Sequence, residues 1–405
     1  MRVKCSGSIT RDTGVACLSL YHFDWNTPLG GPLHYNASMP PVPVGIIGAG
    51  NISGIYLEAD QKFPNIRVTA IADLDMSRAR AQAEKFGKQA VTVDDLLADP
   101  EIQLVANLTP PQAHAPVAMR VLEAGKHVYN EKPLAISLED ARRMIALAES
   151  KGLRIGCAPD TFLGGGLQTC RALIEKGAIG QPVLAFARML SAGVESWHPN
   201  PEFFYKPGGG PMFDMGPYYL TALVSLLGPA KRVSGMTRIT YPERVITSQP
   251  LRGTRILVEV PTLVAGLVEF ASSAVANVVT TFDICGRSEY ELTIYGSEGA
   301  LRCPDPNTFG GPVLLKRRGD EDWQPIPIRH RWVENSRGIG VAEMVEAIAQ
   351  GRSHRANAAM AFHVLELMHA FHESAARGEF VSLESACSPP EPLPAEWPAM
   401  DRTAM

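Results

Sequence analysis

Three short stretches of this chain hold residues whose types and spacing suit chemistry. The first reads Gly48-Ala-Gly50-Asn51-Ile52-Ser53, followed by Asp73 twenty residues past Ser53. Gly48 allows a tight turn, Gly50 lets the backbone approach an anion without a Cβ in the way, and Ser53 is small enough for close helix packing. A carboxylate at position 73 can accept hydrogen bonds from a pair of vicinal ribose hydroxyls. The second stretch, Asn107-Leu-Thr109-Pro110-Pro-Gln-Ala-His114, ends an apolar run in polar and proline residues that can border a ligand. The third is Glu131-Lys132-Pro133. A lysine ammonium placed beside an alcohol can hydrogen-bond its oxygen and stabilise the alkoxide that forms as hydride leaves carbon. Pro133 restricts its predecessor to extended conformations, and Glu131 offers a neighbouring partner.

The elements that must position these residues are legible around them. Val42 to Ile47 is an apolar strand running into the glycine turn, a polar helix follows, and Val68 to Ala72 is a second strand ending at Asp73. Strand, turn, helix, strand and acid in this order read as a dinucleotide site, with Gly48, Gly50, Asn51 and Ile52 around the phosphates. The bland alternative is a structural glycine turn followed by a capping aspartate. Asp73 would repel a 2'-phosphate, so NAD is expected, while Ser77 and Arg78 leave NADP possible. Asn107, Thr109, Pro110, His114, Glu131 and Lys132 are expected to border the same cofactor. His114 is read as a residue at the start of the next helix rather than as an acid or base.

From residue 41 to about 160 strands alternate with helical patterns, which predicts a doubly wound parallel sheet of the Rossmann kind. Leu104 to Leu108, His127 to Tyr129 and Leu153 to Cys157 are further strands, with helices at Ser77 to Phe86, Pro116 to Ala124 and Leu138 to Lys151. Over 161–387 the pattern changes to longer strand-like runs with few helices between them. Val183 to Leu190, Arg232 to Ile239, Thr262 to Phe270, Ala274 to Asp283 and Tyr290 to Tyr295 predict an α+β domain with a large open, mostly antiparallel sheet. Helices are expected at Leu167 to Lys176, Pro217 to Leu227, Gly340 to Gln350 and Ala358 to Arg377. Residues 388–405 are rich in proline and are expected to form a loose or edge-hugging tail. Residues 1–40 are irregular; they carry no charged segment followed by an apolar core, so no export signal is read there. Met39 stands directly before Pro40-Pro41-Val42, and residues 1–38 are expected to be dispensable, an extension from an upstream start.

Composition narrows the partners. With 405 residues, two domains are expected. A formal net charge of -4 gives no basic stripe for nucleic acid, and no run of eighteen apolar residues offers a membrane span. Seven cysteines, with no C-x-x-C pair and no histidine at metal spacing, point to neither a disulfide scaffold nor a metal site. Reduced thiols in a cytoplasmic protein are expected.

Gly48-Ala-Gly50, Thr109-Pro110, Gly125-Lys-His-Val, Glu131-Lys132-Pro133, Gly177-Ala-Ile-Gly180-Gln-Pro-Val183 and Gly208-Gly-Gly-Pro-Met-Phe-Asp214-Met-Gly216-Pro-Tyr218 stand here in order. Together they resemble the glucose-fructose oxidoreductase / inositol dehydrogenase / rhizopine catabolism (Gfo/Idh/MocA) family, over about residues 41–375. The resemblance implies NAD(P)-dependent redox chemistry on sugars, cyclitols and related compounds, and a homodimer or homotetramer. It makes Lys132 the catalytic lysine and Asp214 the acidic residue of the second-domain motif. Many members carry a histidine four residues after that aspartate, where this chain has Tyr218.

Asp214 and Tyr218 at i and i+4 are expected on one face at the start of a helix. A phenol is a poor base at neutral pH, but a nearby lysine and an oxidised nicotinamide both favour the phenolate. A core tyrosine, with catalysis left to another residue, is the alternative. Trp197-His198, in a proline-rich loop, suit stacking on a pyranose and hydrogen bonding to its hydroxyls; Glu195, Tyr205, Lys206 and Arg287 are weaker candidates for the same pocket. The leading expectation is hydride transfer between a secondary alcohol of a sugar, glycoside or cyclitol and nicotinamide, through Lys132, Asp214 and Tyr218. The alternative is glycoside cleavage by transient oxidation with no net redox change. A non-catalytic NAD sensor is disfavoured by the presence of both Lys132 and Asp214.

Overall fold

The structure, a computed structural model, describes residues 40–398. The expectations for residues 1–38 and for the chain beyond 398 lie outside the described residues. Six strands, β1 (Val42–Ile47), β2 (Ile66–Ala72), β3 (Gln89–Ala90), β4 (Leu104–Asn107), β5 (His127–Asn130) and β6 (Ile155–Cys157), form a sheet in the order β3-β2-β1-β4-β5-β6. Every pair is parallel. Helices α1 (Ser53–Leu57), α2 (Ala59–Lys62), α3 (Met76–Phe86), α4 (Val93–Ala98), α5 (Pro111–Glu123) and α6 (Leu138–Ser150) supply the crossovers. Covered on both faces, strands such as β4 are buried along their whole length, so they read as unbroken apolar runs. Strand order reverses between β1 and β4, and a crevice opens beyond their carboxyl ends, where such folds bind ligands.

The second half adds α7 (Gly165–Glu175), β7 (Pro182–Leu190), α8 (Gly210–Asp214), α9 (Gly216–Leu227), β8 (Ala230–Arg238), β9 (Glu243–Val245) and β10 (Arg255–Leu257). It continues through β11 (Leu263–Phe270), β12 (Val275–Thr281), β13 (Glu289–Gly296), β14 (Gly299–Cys303), β15 (Val313–Arg317) and β16 (Gln324–Ile326). Helices α10 (Ile339–Ala349) and α11 (Ala358–Arg377) and strand β17 (Val381–Ser382) complete it. Nine of these strands form one sheet, β16-β15-β14-β13-β7-β12-β11-β8-β17, in which only β7 and β12 run parallel. Ala187, Val268 and Val278 face inward toward the helices and are buried, whereas Met236 and Leu267 on the other face are 75% and 45% exposed. No helix among the described residues is long and apolar enough to cross a membrane.

One expectation is narrowed and another needs correction. The described part of the proline-rich end, 388–398, is not loose but follows the edge-hugging alternative and lies as a strap against the body. Leu393 donates its N–H to Gln168 at 2.8 Å, Arg355 donates to the carbonyls of Glu391 and Pro392, and the buried Trp397 indole donates to Glu346. Trp397 also packs against Trp332 and against Phe63 of the parallel-sheet half. Asp214 and Tyr218, in turn, do not open one helix. Asp214 ends α8, and α9 restarts at Gly216 with Pro217 in its first turn, because a proline has no N–H to continue the ladder and clashes with the carbonyl four residues back.

Candidate active site

At the carboxyl end of β1 the turn is shaped around two glycines with different duties. Gly48 has φ +110°, and a Cβ there would stand 2.7 Å from the Leu108 carbonyl carbon. Around Gly50 a Cβ would meet nothing within 4 Å, so that direction is open to the crevice. Ser53 donates its hydroxyl to the Gly50 carbonyl at 2.7 Å. The N–H groups of Gly50, Asn51 and Ile52 find no acceptor among the described residues. Asp73 Oδ2 accepts the Ala49 N–H at 2.7 Å and Oδ1 accepts that of Asp75 at 2.9 Å. Each oxygen keeps lone-pair capacity for a ribose hydroxyl. Unspent N–H donors, open space at Gly50 and a carboxylate at the end of β2 fit the pyrophosphate and ribose of a dinucleotide. Nearby Ser77 and Arg78 both turn to Asp75 instead.

The wall at β4 and β5 is internally braced. Asn107 is fully buried and donates to the Asn130 side chain and the His114 carbonyl, while its Oδ1 accepts from the Thr109 hydroxyl at 2.7 Å. His114, also buried, places Nδ1 2.6 Å from the Pro133 carbonyl and Nε2 2.8 Å from that of Thr109. Burial lowers its pKa, against those two carbonyls. These two side chains hold the loops in place and do not reach the crevice surface, where Thr109 and Pro110 stand. Glu131 accepts the Tyr56 hydroxyl at 2.9 Å and the Lys132 N–H at 3.0 Å, so it fixes the lysine through its backbone.

Lys132 and the second half meet here. The Lys132 ammonium lies 2.5 Å from the Asp214 carbonyl oxygen, 2.8 Å from Asp214 Oδ1, and 5.1 Å from the Tyr218 ring centroid. Burial works against its charge, and Asp214 and Tyr218 outweigh it, holding the pKa above the ordinary lysine value. Tyr218 and Tyr219 are both buried; the Tyr219 hydroxyl turns to Asp305, and burial pushes its pKa up. His198 stands near enough to Asp214 to feel its charge, though partial burial pulls its pKa down. Its Nδ1 accepts the Asn200 N–H at 3.1 Å, which leaves Nε2 as the donor of a neutral ring. The Trp197 indole beside it is 64% exposed.

Of the weaker candidates, Glu195 and Tyr205 are spent on a structural network. Arg244 donates to Glu195 at 2.6 Å and pairs with Asp283, while Tyr205 donates to Glu195. Lys206 pairs with Glu259 at 2.7 Å, and Arg287 is exposed. A cavity of about 1070 Å³ lies away from this site, between α6, the 352–359 segment and the proline strap. Its arginines are already engaged: Arg352 and Arg355 both donate to Glu343 at 2.6 Å. Among the described residues no group of three or more histidines, cysteines or carboxylates could hold a metal ion.

Two residues escaped the sequence reading. Arg337, just before α10, donates to Asn307 Oδ1 at 2.7 Å and to Asn335 Oδ1 at 3.0 Å, with the Phe309 ring 5.9 Å from its guanidinium carbon. Asp160, beyond the end of β6, is buried and accepts the N–H groups of Gly338 at 2.9 Å and Gly340 at 3.1 Å. Burial raises its pKa to about 6. Asp160 could have been flagged by its place at the carboxyl edge of a parallel sheet; Arg337 carries no local signal.

Comparison with known proteins places the chain. Residues 42–158 match the GFO_IDH_MocA oxidoreductase family, NAD-binding Rossmann fold, and residues 167–302 match the GFO/IDH/MocA C-terminal domain. The dTDP-3,4-didehydro-2,6-dideoxy-alpha-D-glucose 3-reductase of Streptomyces antibioticus is 30% identical over 71% of this chain and 84% of that protein. Levoglucosan dehydrogenase of Pseudarthrobacter phenanthrenivorans is 26% identical over 85% of this chain and 99% of its own length. An uncharacterized oxidoreductase of Schizosaccharomyces pombe is 30% identical over 55% of this chain, which spans 64% of it. The solved structure of levoglucosan dehydrogenase in complex with NADH and L-sorbose shares the fold, with TM-score 0.73 and 24% identity over 86% of this chain and 100% of that one. The chain belongs to the Gfo/Idh/MocA family of oxidoreductases with an NAD-binding Rossmann fold.

Proposed function

We propose that the protein oxidises a secondary alcohol of a sugar, glycoside or cyclitol, or reduces the matching ketone, at the spot where Lys132, Asp214 and Tyr218 converge. The observation that carries this reading is the Lys132 ammonium, held by two oxygens of Asp214 with the Tyr218 ring beside it. An ammonium has three N–H groups, so the one not given to Asp214 is free for a substrate oxygen. In oxidation the alcohol gives up its hydroxyl proton to Tyr218 and a hydride from carbon, and NAD+, when bound at the glycine turn, is the hydride acceptor. Lys132 steadies the developing alkoxide, and Asp214 positions the ammonium. His198, whose Nδ1 is already taken, serves better as an Nε2–H donor to a substrate hydroxyl than as the base. The exposed Trp197 ring offers a stacking surface for a sugar.

Similarity to levoglucosan dehydrogenase and to the dTDP-sugar 3-reductase supports a carbohydrate substrate. Asp73 favours NAD over NADP, and the apolar outer face around Met236 and Leu267 supports pairing with a second copy of the chain.

The test is a panel of polyols, sugars and glycosides with NAD+ and NADP+, followed by Lys132→Ala on the best substrate. NADH should accumulate with the panel; aglycone release without it would mean glycoside cleavage. The variant should lose about a hundredfold to ten-thousandfold in turnover with NADH affinity nearly retained. Near-normal turnover overturns the assignment.

A further inference from the structure

Residues 193–209 carry a shelf of aromatic rings. The Trp197 ring lies edge-on to His198 with 5.5 Å between centroids, and His198 packs in turn on Phe203 at 5.5 Å and on Phe204 at 5.1 Å. Phe203 and Phe204 lie 4.1 Å apart. Phe204 is buried, Phe203 reaches the surface, and Trp197 is more exposed than either. A lone exposed apolar side chain needs no explanation, but rings packed on one another with an open outer face make a surface for a flat, partly apolar ligand.

The shelf is fixed, and it stands beside the reacting centre. Glu202–Tyr205, a short turn of helix, packs against α8, whose last residue is Asp214. A Cβ at Gly209 would stand 2.5 Å from the Phe203 carbonyl oxygen; at Gly208, with φ +86°, it would stand 2.7 Å from Ile136 Cδ1. The loop therefore leans both on the helix that ends at Asp214 and on the segment that follows Lys132. Beneath it, Arg244 donates to Glu195 at 2.6 Å and pairs with Asp283, and Tyr205 donates to Glu195. The Glu195 carbonyl accepts the N–H groups of Thr247 and Ser248, both at 3.0 Å, and the Ser248 hydroxyl donates to the His198 carbonyl at 2.5 Å. With the loop held this way the rings are ordered in advance, so little entropy is lost when a ligand covers them.

We infer that this shelf is a second sugar subsite: the substrate is a disaccharide whose oxidised ring sits at Lys132, Asp214 and Tyr218 and whose other pyranose lies on Trp197. This deepens the reading of that centre as a sugar dehydrogenase and rests on it for the first ring. Outward from Asp214 come the 202–205 turn, then His198, then Trp197. Trp197 thus meets the next ring along rather than the one that loses hydride. A pyranose offers an apolar C–H face to the indole and hydroxyls at its edge. His198, whose Nδ1 accepts the Asn200 N–H, has an Nε2–H to give to one of them. An aryl group would use the rings and leave that donor unmet, which favours a sugar over an aromatic aglycone.

Calorimetric titration of the NADH-loaded full chain compares D-glucose with cellobiose and phenyl β-D-glucoside, and D-galactose with lactose. At least one disaccharide should bind about tenfold tighter than its own monosaccharide. That ratio should fall toward one in Trp197→Ala and recover in part in Trp197→Phe. His198→Phe, which keeps a ring but removes the donor, should weaken the disaccharide more than phenyl β-D-glucoside. Equal affinity for each disaccharide and its monosaccharide in wild type overturns the inference, as does a ratio that Trp197→Ala leaves unmoved. A gain shown by phenyl β-D-glucoside alone overturns it too, because the occupant would then be an aryl group. So does a fall in the ratio that comes with a changed sedimentation coefficient, since Trp197 would then be a contact between copies of the chain. Binding needs no hydride transfer, so the two readings fail separately. A disaccharide preference in a protein that yields NADH from no sugar removes the dehydrogenase reading and leaves the subsite; turnover of monosaccharides without that preference does the reverse.

Discussion

Alanine placed at Gly48 and at Gly50, two residues apart in one turn, should do opposite things. At Gly48 the backbone has φ +110°, and a Cβ would lie 2.7 Å from the Leu108 carbonyl carbon and oxygen and 2.9 Å from the Thr109 nitrogen. Such a dihedral costs an alanine about 1 to 3 kcal/mol, and the atoms in the way are backbone, which cannot swing aside. Since each kcal/mol moves the midpoint by roughly 2 to 4 °C, Gly48→Ala should lower Tm by roughly 5 to 10 °C. It should also displace Thr109, which forms the far wall of the crevice. At Gly50 a Cβ would meet nothing within 4 Å, and φ is not positive. Gly50→Ala should therefore leave Tm within about 1 °C of wild type. The methyl group would nonetheless enter the space a pyrophosphate needs. A hydrogen bond to a charged group is worth about 1.5 to 3 kcal/mol, so losing one should weaken NADH binding by about ten- to a hundredfold. Thermal unfolding of the cofactor-free protein and calorimetric titration with NADH read the two effects separately. If Gly50→Ala binds NADH as wild type does, the phosphates do not sit at this turn. If it unfolds as early as Gly48→Ala, the open direction is not free space.

Trp397→Ala should cost about 3 to 5 kcal/mol and lower Tm accordingly, because the buried indole joins Phe63 of the first half to Trp332 and Glu346 of the second; an unchanged Tm would mean the strap carries no load. Asp160 has its pKa raised by burial to about 6 from 3.8, so its protonated form is favoured in the folded state. Its contribution to stability is full below about pH 4 and is lost as pH rises through about 6. The stability difference between wild type and Asp160→Asn should thus change by about 3 kcal/mol between pH 4 and pH 7, with the wild type losing ground as pH rises. A difference that is flat in pH, measured by denaturant unfolding, would show that Asp160 ionises as freely as in the unfolded chain.

The parallel half was legible because its strands are buried on both faces and alternate with amphipathic helices. β1 and the ends of β2 and β4 were placed within two residues. The two-residue strand β3 and the short helix α4 were missed, since neither is long enough to show a period. In the second half five long strands were read, while β14, β15 and β16 were not, because strands of three to five residues are too short to show a clear alternation. Between a loose and an edge-hugging course the proline content cannot choose, because it speaks only of local stiffness. The strap's anchors, Gln168, Glu346 and Arg355, lie far away in sequence. Lys132, Asp214 and the glycine turn were found through their motifs. Arg337 belongs to no motif, and its anchors Asn307 and Asn335 show only in the fold.

That placement bears on why the two halves must hold a fixed relation. Lys132 comes from the end of β5, Asp214 and Tyr218 from the broken helix of the second half, and Arg337 from the loop that leads into α10. Asp160, just beyond β6, grips the start of α10 through two backbone N–H groups, and the Trp397 strap ties α10 to Phe63. A shift of α10 would therefore strain the Asp160 clamp and the strap while leaving the Lys132–Asp214 pair in place. Substitutions in the strap or at Asp160 should accordingly act on stability before they act on cofactor binding. The glycine turn and Asp73 sit at the ends of β1 and β2.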